Sequence, residues 1–173
     1  MENMPQETTN RLPRWEELPD LDLYMDQVLS LTDRYLDPLS VKPITAAMIN
    51  NYVKLKLIPP TKGKRYSRVH VAFIFAIAIL KDVFEIAQIR EGILIETNIL
   101  GLKNAYNQFT QEVENAIRLV EKQSEQSLPI ALIEGEIKEE NKIMKFAALS
   151  FATQRHAKTL IQQTKLKGES NHE

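Results

Sequence analysis

Eight bases and no acid lie between Asp37 and Asp82: Lys42, Lys54, Lys56, Lys62, Lys64, Arg65, Arg68 and Lys81. Ammonium and guanidinium groups at this density do no bond-making chemistry alone. What they can do is neutralise a row of phosphates, while side chains interleaved with them decide whether the bases between the phosphates are read. Asn50 and Asn51 can each hydrogen-bond a base edge, typically adenine, and Lys54 can take a phosphate or a guanine. All three fall on the polar side of a predicted short helix over residues 46–56, with Thr45 as its N-cap and Ile49, Tyr52 and Val53 on the apolar side. The other reading of both asparagines is that they are simply exposed helix residues. Lys62, Lys64 and Arg65 place three bases within four residues at a turn tip, a geometry suited to straddling a phosphate backbone. Tyr66 and Arg68 follow where the next helix should begin. The candidate DNA-binding set is therefore Thr45, Asn50, Asn51, Tyr52, Lys54, Lys62, Lys64, Arg65, Tyr66 and Arg68.

The net charge of −1 over 173 residues conceals this block. Residues 1–37 sum to −6, residues 38–81 to +8 and residues 82–173 to −3. A basic segment flanked by acidic ones is the electrostatic footprint of a nucleic-acid-binding module in a soluble protein. Enzymatic chemistry is not expected. There is no Gly-rich phosphate loop, no Gly-x-Ser-x-Gly and no His-Glu-x-x-His. With no cysteine there is no thiolate nucleophile or Cys-based zinc site, and His70, His156 and His172 lie far apart, so no metal and no cofactor is expected. His70 reads as a helix-start residue near the turn. The acids Glu134, Glu136, Glu139 and Glu140 read as a solvated helix start. The N-terminal stretch lacks the apolar core of a signal peptide, and Val69–Leu80 is twelve residues where a bilayer span needs about 20. A soluble, cytoplasmic protein with no membrane contact is expected.

The elements that must position the basic block read as helices. Residues 1–13 are patternless and predict a disordered tail. Trp15, between Pro13 and Pro19, should anchor an arm against the helical body. Asp20 is the expected N-cap of a helix with an apolar stripe of Leu21, Tyr24, Val28, Leu31 and Tyr35, stopped at Asp37-Pro38. After the 46–56 helix, Pro59-Pro60 turns the chain, and Arg65-Tyr66 should return antiparallel to Leu57-Ile58 as a small hairpin. Val69–Leu80 is apolar all round and predicts the buried spine of the core. Ile86, Ile89, Ile93 and Leu94 make a short amphipathic helix, with a joint at Gly101. Tyr106, Phe109, Val113, Ala116 and Val120 form a two-heptad seam. Residues 121–130 read as a linker, a last helix runs from about Glu134 to Gln163, and residues 166–173 read as a disordered tail.

Two resemblances attach to these residues. Thr45 to Pro60, with the basic turn, Tyr66 and Ser67, resembles the N-terminal module of MerR-type transcriptional regulators. Asn50-Asn51-Tyr52 stands in the place of an Arg-Tyr-Tyr core, and Lys56-Leu57-Ile58-Pro59-Pro60 in the place of a Gly-Leu-Ile step and its prolines. Asn50 for the arginine, Lys56 for the glycine and a wing about a residue shorter are departures, and they bear on the particular base contacts. More of the chain, from Leu12-Pro13-Arg14-Trp15-Glu16-Glu17-Leu18-Pro19-Asp20 through Leu23–Val28 and on from Ile44 to Tyr66, resembles the bacterial family called domain of unknown function 1836. That resemblance implies a cytosolic protein with a MerR-like or winged helix-turn-helix, and no established activity.

The expected fold is mostly α, a MerR-like winged helix-turn-helix with a small β-hairpin wing and a C-terminal helical extension. The expected divisions are a tail at 1–13, the winged domain at 14–103, a helical dimerisation region at 104–165 and a tail at 166–173. The expected function is a sequence-specific DNA-binding transcriptional regulator, with the 46–56 helix in the major groove and the wing, 61–66, on the phosphate backbone. Its partners would be double-stranded DNA and a second copy of the chain, with no small-molecule effector identified in residues 95–173. The alternative is a helical protein–protein adaptor with a degenerate helix-turn-helix.

Overall fold

Leu23 and Tyr66 exchange both backbone hydrogen bonds, N–H to O at 2.9 Å in each direction. This one antiparallel bridge fixes where the first helix starts and what the basic turn leans on. The structure, a computed structural model, describes residues 11–126 and 136–169. Among them are six α-helices: α1 (Met25–Leu36), α2 (Ala46–Lys54), α3 (Arg68–Leu80), α4 (Ile86–Leu100), α5 (Leu102–Gln126) and α6 (Lys142–Glu169). Two short 3-10 turns, Trp15–Glu17 and Asp37–Leu39, complete the regular structure. The mostly helical expectation holds.

The β-hairpin wing does not form: no strand is present among the described residues, only the isolated bridges Leu23 to Tyr66 and Lys62 to Arg65. The reason is local. The amides of Leu57 and Ile58 both donate to the Tyr52 carbonyl, at 2.9 and 3.2 Å, and Pro59 and Pro60 have no amide hydrogen. No donor is left on that side to build a ladder, so Tyr66 pairs with Leu23 instead. The same bridge holds residues 20–24 out of the first helix. α1 therefore starts at Met25 with Tyr24 as its N-cap, not at Asp20, and Leu21 is 81% exposed instead of lining a stripe. The face that α1 does bury carries Val28, Thr32 and Leu36.

The chain divides into two compact units, through Thr110 and from Gln111 onward, and α5 passes from one to the other. The expected division fell at 103/104. In the first unit α3 is the spine: Val71, Ile74, Phe75, Ile77 and Ile79 are fully enclosed, and of its apolar residues only Val69, Phe73 and Ala76 are half-exposed. Tyr35 meets Phe75 edge-on, with ring centroids 5.9 Å apart. The tail expected over 1–13 is corrected at its end. Leu12 and Pro13 are buried, and residues 1–10 lie outside the described residues. α4 runs on to Leu100, where Gly101, at φ 73°, turns the chain into α5.

In the second unit α5 and α6 run in the same direction. Glu112 pairs with Lys145 at 2.9 Å and Glu121 with Arg155 at 2.7 Å, so residue numbers rise together along both helices. Val113, Ala116, Ile117 and Leu119 on α5 are buried, as are Met144, Ala148, Phe151 and Ala152 on α6. The last helix begins at Lys142; the expected start, Glu134, lies outside the described residues, and 136–138 are irregular. The linker expected over 121–130 is helical as far as Gln126, with 127–130 outside the described residues. The tail expected over 166–173 is helical through Glu169, and 170–173 likewise fall outside. No helix among the described residues is long and apolar enough to cross a membrane.

Candidate nucleic-acid interface

α2 is built to show one face. Thr45 caps it, its hydroxyl accepting from the Met48 amide at 3.2 Å, and Ile49 and Tyr52 are buried. Ala47, Asn50, Asn51 and Lys54 are exposed, at the three- and four-residue spacings that place side chains on one side of a helix. Tyr52, by contrast, is 5% exposed and its phenol is pushed up, chiefly by burial and then by the charge of Asp82. Tyr66 is 4% exposed, its phenol likewise pushed up by burial, and its ring meets His70 edge-on at 5.9 Å. Of the sequence-derived set, these two tyrosines are core residues that shape the surface without reaching it.

α2 ends in a Schellman motif. The Leu57 amide donates to the Tyr52 carbonyl at 2.9 Å and the Lys56 amide to Val53 at 3.0 Å, which puts Lys56 at the left-handed position, φ 56°. Glycine is the usual occupant there. A left-handed conformation costs an ordinary residue about 1–2 kcal/mol, while glycine gives back about 0.5–1 kcal/mol in chain entropy. Lys56→Gly is thus expected to raise unfolding free energy by about 0.5–1 kcal/mol, read as a higher urea midpoint at unchanged slope. An unchanged or lower midpoint would contradict the strain assignment.

The basic turn has the same character. Gly63 and Lys64 both have positive φ, 56° and 58°, and the Arg65 amide closes on the Lys62 carbonyl at 3.1 Å. That is the type I′ pattern, in which the second central position favours glycine and here holds a lysine. Lys56, Lys64 and Ser40 are the non-glycine residues with positive φ among the described residues. Two of the three are exposed bases in the one basic segment. His70 secures the turn from behind: its Nδ1 accepts from the Ser67 amide at 3.0 Å, and its Nε2 donates to the Pro60 carbonyl at 3.3 Å.

The two arginines differ. Arg65 is exposed; its Nη2 donates to the Tyr24 hydroxyl at 2.9 Å, and its guanidinium lies 5.0 Å from the Tyr24 ring centre. Arg68 is half-buried, ion-paired to Asp20 and 5.9 Å from the Trp15 ring centre. Among the described residues no carboxylate pairs with Lys54, Lys56, Lys62, Lys64 or Arg65. The structure thus leaves Thr45, Asn50, Asn51, Lys54, Lys62, Lys64 and Arg65 on the surface and gives Arg68 a structural partner. Tyr24 and Lys56 belong with the surface residues although spacing did not select them for the set.

Behind Arg68 the arm is clamped to the start of α5 residue by residue. Arg14 donates to the Thr110 hydroxyl at 2.7 Å, the Trp15 amide to Asn107 at 2.7 Å, and Trp15 meets Tyr106 at 6.2 Å. Glu16 pairs with Lys103 at 2.6 Å, and its carboxyl is held down at about 2 by that lysine first and then by backbone and Asn107 hydrogen bonds.

The clamp unites the Pro-Arg-Trp arm and the first turns of α5 in the same unit as the basic segment. A family model for a domain of unknown function (DUF1836) matches residues 13–109, the span from the arm into the first turns of α5. Neither the curated proteins nor the solved structures gave a match. With more than half of its length matched, the chain belongs to the DUF1836 family.

Proposed function

We propose that the segment from Thr45 to Arg65 docks on double-stranded DNA and that the protein is a transcriptional regulator. α2 would offer Asn50, Asn51 and Lys54 to the major groove, and Lys62, Lys64 and Arg65 would take phosphates of the flanking backbone. The observation that carries this reading is the row of exposed bases at Lys54, Lys56, Lys62, Lys64 and Arg65, none with a carboxylate partner among the described residues. That two of them sit at positions glycine would occupy more cheaply supports it further, since strain of this kind clusters at binding sites. An α-helix with its side chains is about 10–12 Å across, which a major groove about 12 Å wide admits. The MerR-like reading belongs to this proposal, as helix, left-handed step, Pro59-Pro60 and basic turn follow in that order. So does a homodimer through α5 and α6, for which the exposed Ile143, Phe146, Leu160 and Ile161 on α6 supply apolar surface.

A second reading, a helical adaptor for a protein partner, draws on the exposed Leu94, Ile95 and Ile99 of α4. One measurement separates them. The purified chain is titrated into fluorescent fragments of its own genome across a salt series. The three phosphate contacts of the turn predict a slope of about −2.7 in log affinity against log salt, and Lys54 and Lys56 on the backbone as well would bring it to about −4.5. No binding at low salt, with a stoichiometric protein co-purifying instead, would replace the DNA reading by the adaptor.

A further inference from the structure

Resting on that DNA-docking reading, we propose that Tyr24 is the positioning residue for the phosphate-binding guanidinium of Arg65. Leu23 and Tyr66 form a hydrogen-bonded antiparallel pair. The next pair outward, Tyr24 and Arg65, is therefore directly opposed at a non-hydrogen-bonded position, where cross-strand side chains approach most closely. The contacts agree with that register. The Tyr24 hydroxyl accepts one Arg65 N–H at 2.9 Å, and the guanidinium carbon lies 5.0 Å from the ring centre. Tyr24 is itself fixed as the N-cap of α1, its amide donating to Gln27 at 2.9 Å.

A guanidinium has five N–H donors, so a single bond to a neutral phenol leaves four, and the positive charge is not cancelled. Arg68, three residues on, shows the contrasting case: Asp20 neutralises it and Trp15 covers it. The phosphate role within this pair of arginines falls to Arg65. Holding its side chain before binding removes part of the rotamer loss that a free arginine suffers on docking, an effect of about 2–10-fold in affinity.

The test compares the full chain, Tyr24→Phe, Tyr24→Leu, Arg65→Ala and the Tyr24→Leu/Arg65→Ala double variant on a fluorescent mixed-sequence duplex, with the thermal midpoint of each recorded. Tyr24→Phe keeps the ring and loses the hydrogen bond. Tyr24→Leu is expected to weaken binding about 2–10-fold with the salt slope nearly kept, and Tyr24→Phe to fall between it and the parent. Arg65→Ala should flatten the slope by about one. In the Arg65→Ala background Tyr24→Leu should have no further effect, whereas a merely structural role would weaken binding in both backgrounds. Unchanged or tighter binding by Tyr24→Leu, or an equal loss in both backgrounds, overturns the assignment. A parent chain without salt-dependent DNA binding overturns the docking reading itself, and this assignment with it.

Discussion

Replacing Lys62, Lys64 and Arg65 together by alanine is expected to weaken binding to double-stranded DNA by about 500-fold at about 0.1 M salt. The figure follows from counterion release: three lost phosphate contacts change the log–log salt slope by about 2.7, and between about 1 M and 0.1 M salt that difference accumulates to this factor. All three side chains are exposed, and none is tied to a carboxylate among the described residues. Stability should therefore change little, the main loss being the Arg65 contact with Tyr24. Alanine at position 64 inherits the left-handed backbone at a cost like that of lysine. Fluorescence anisotropy over a salt series, with thermal midpoints alongside, gives both quantities. A variant that keeps the parent's affinity and slope would remove the turn from the binding surface and leave α2 alone to account for it.

The basic segment was legible in the sequence because charge is a property of residues, and eight bases without an acid need no fold to be seen. The spine was legible for a similar reason. Val69–Leu80 is apolar at nearly every position, and only a buried helix tolerates that. What periodicity missed was long-range backbone pairing. Leu23 and Tyr66 are 43 residues apart, and nothing in either neighbourhood announces the bridge that shifts α1 to Met25, frees Leu21 and sets Tyr24 opposite Arg65. The hairpin expectation failed on donors, since turn-forming residues were counted while the amides of Leu57 and Ile58 were already committed to Tyr52. Both tyrosines stood in the DNA-binding set, although spacing already put Tyr52 on the apolar side of α2, and burial places both in the core. Parallel α5 and α6 were out of reach as well. Seam spacing gives a face but not a direction, and the direction comes from the ion pairs at Lys145 and Arg155.

The largest expected effect on stability lies behind the interface. Phe75→Ala should lower the unfolding free energy of the first unit by about 3–5 kcal/mol, the range for emptying a phenylalanine site in a close-packed core. Phe75 is fully enclosed on α3, and its ring meets Tyr35 of α1 at 84°, so one ring joins the spine to the helix that carries Tyr24 at its N-terminus. The edge contact itself accounts for about 0.5–1.5 kcal/mol beyond area. Tyr35→Leu, which removes that contact and fills part of the same space, should therefore cost clearly less than Phe75→Ala. Urea unfolding of both variants checks the ranking, and a domain of ordinary stability, about 5–15 kcal/mol, leaves Phe75→Ala folded but marginal at 25 °C. DNA affinity measured well below its midpoint should stay near that of the parent, because Phe75 is fully enclosed and forms no part of the surface. A loss of under about 1 kcal/mol would mean that the core around α3 closes over the vacancy, and the spine would then be less rigid a support for the basic turn than its burial implies.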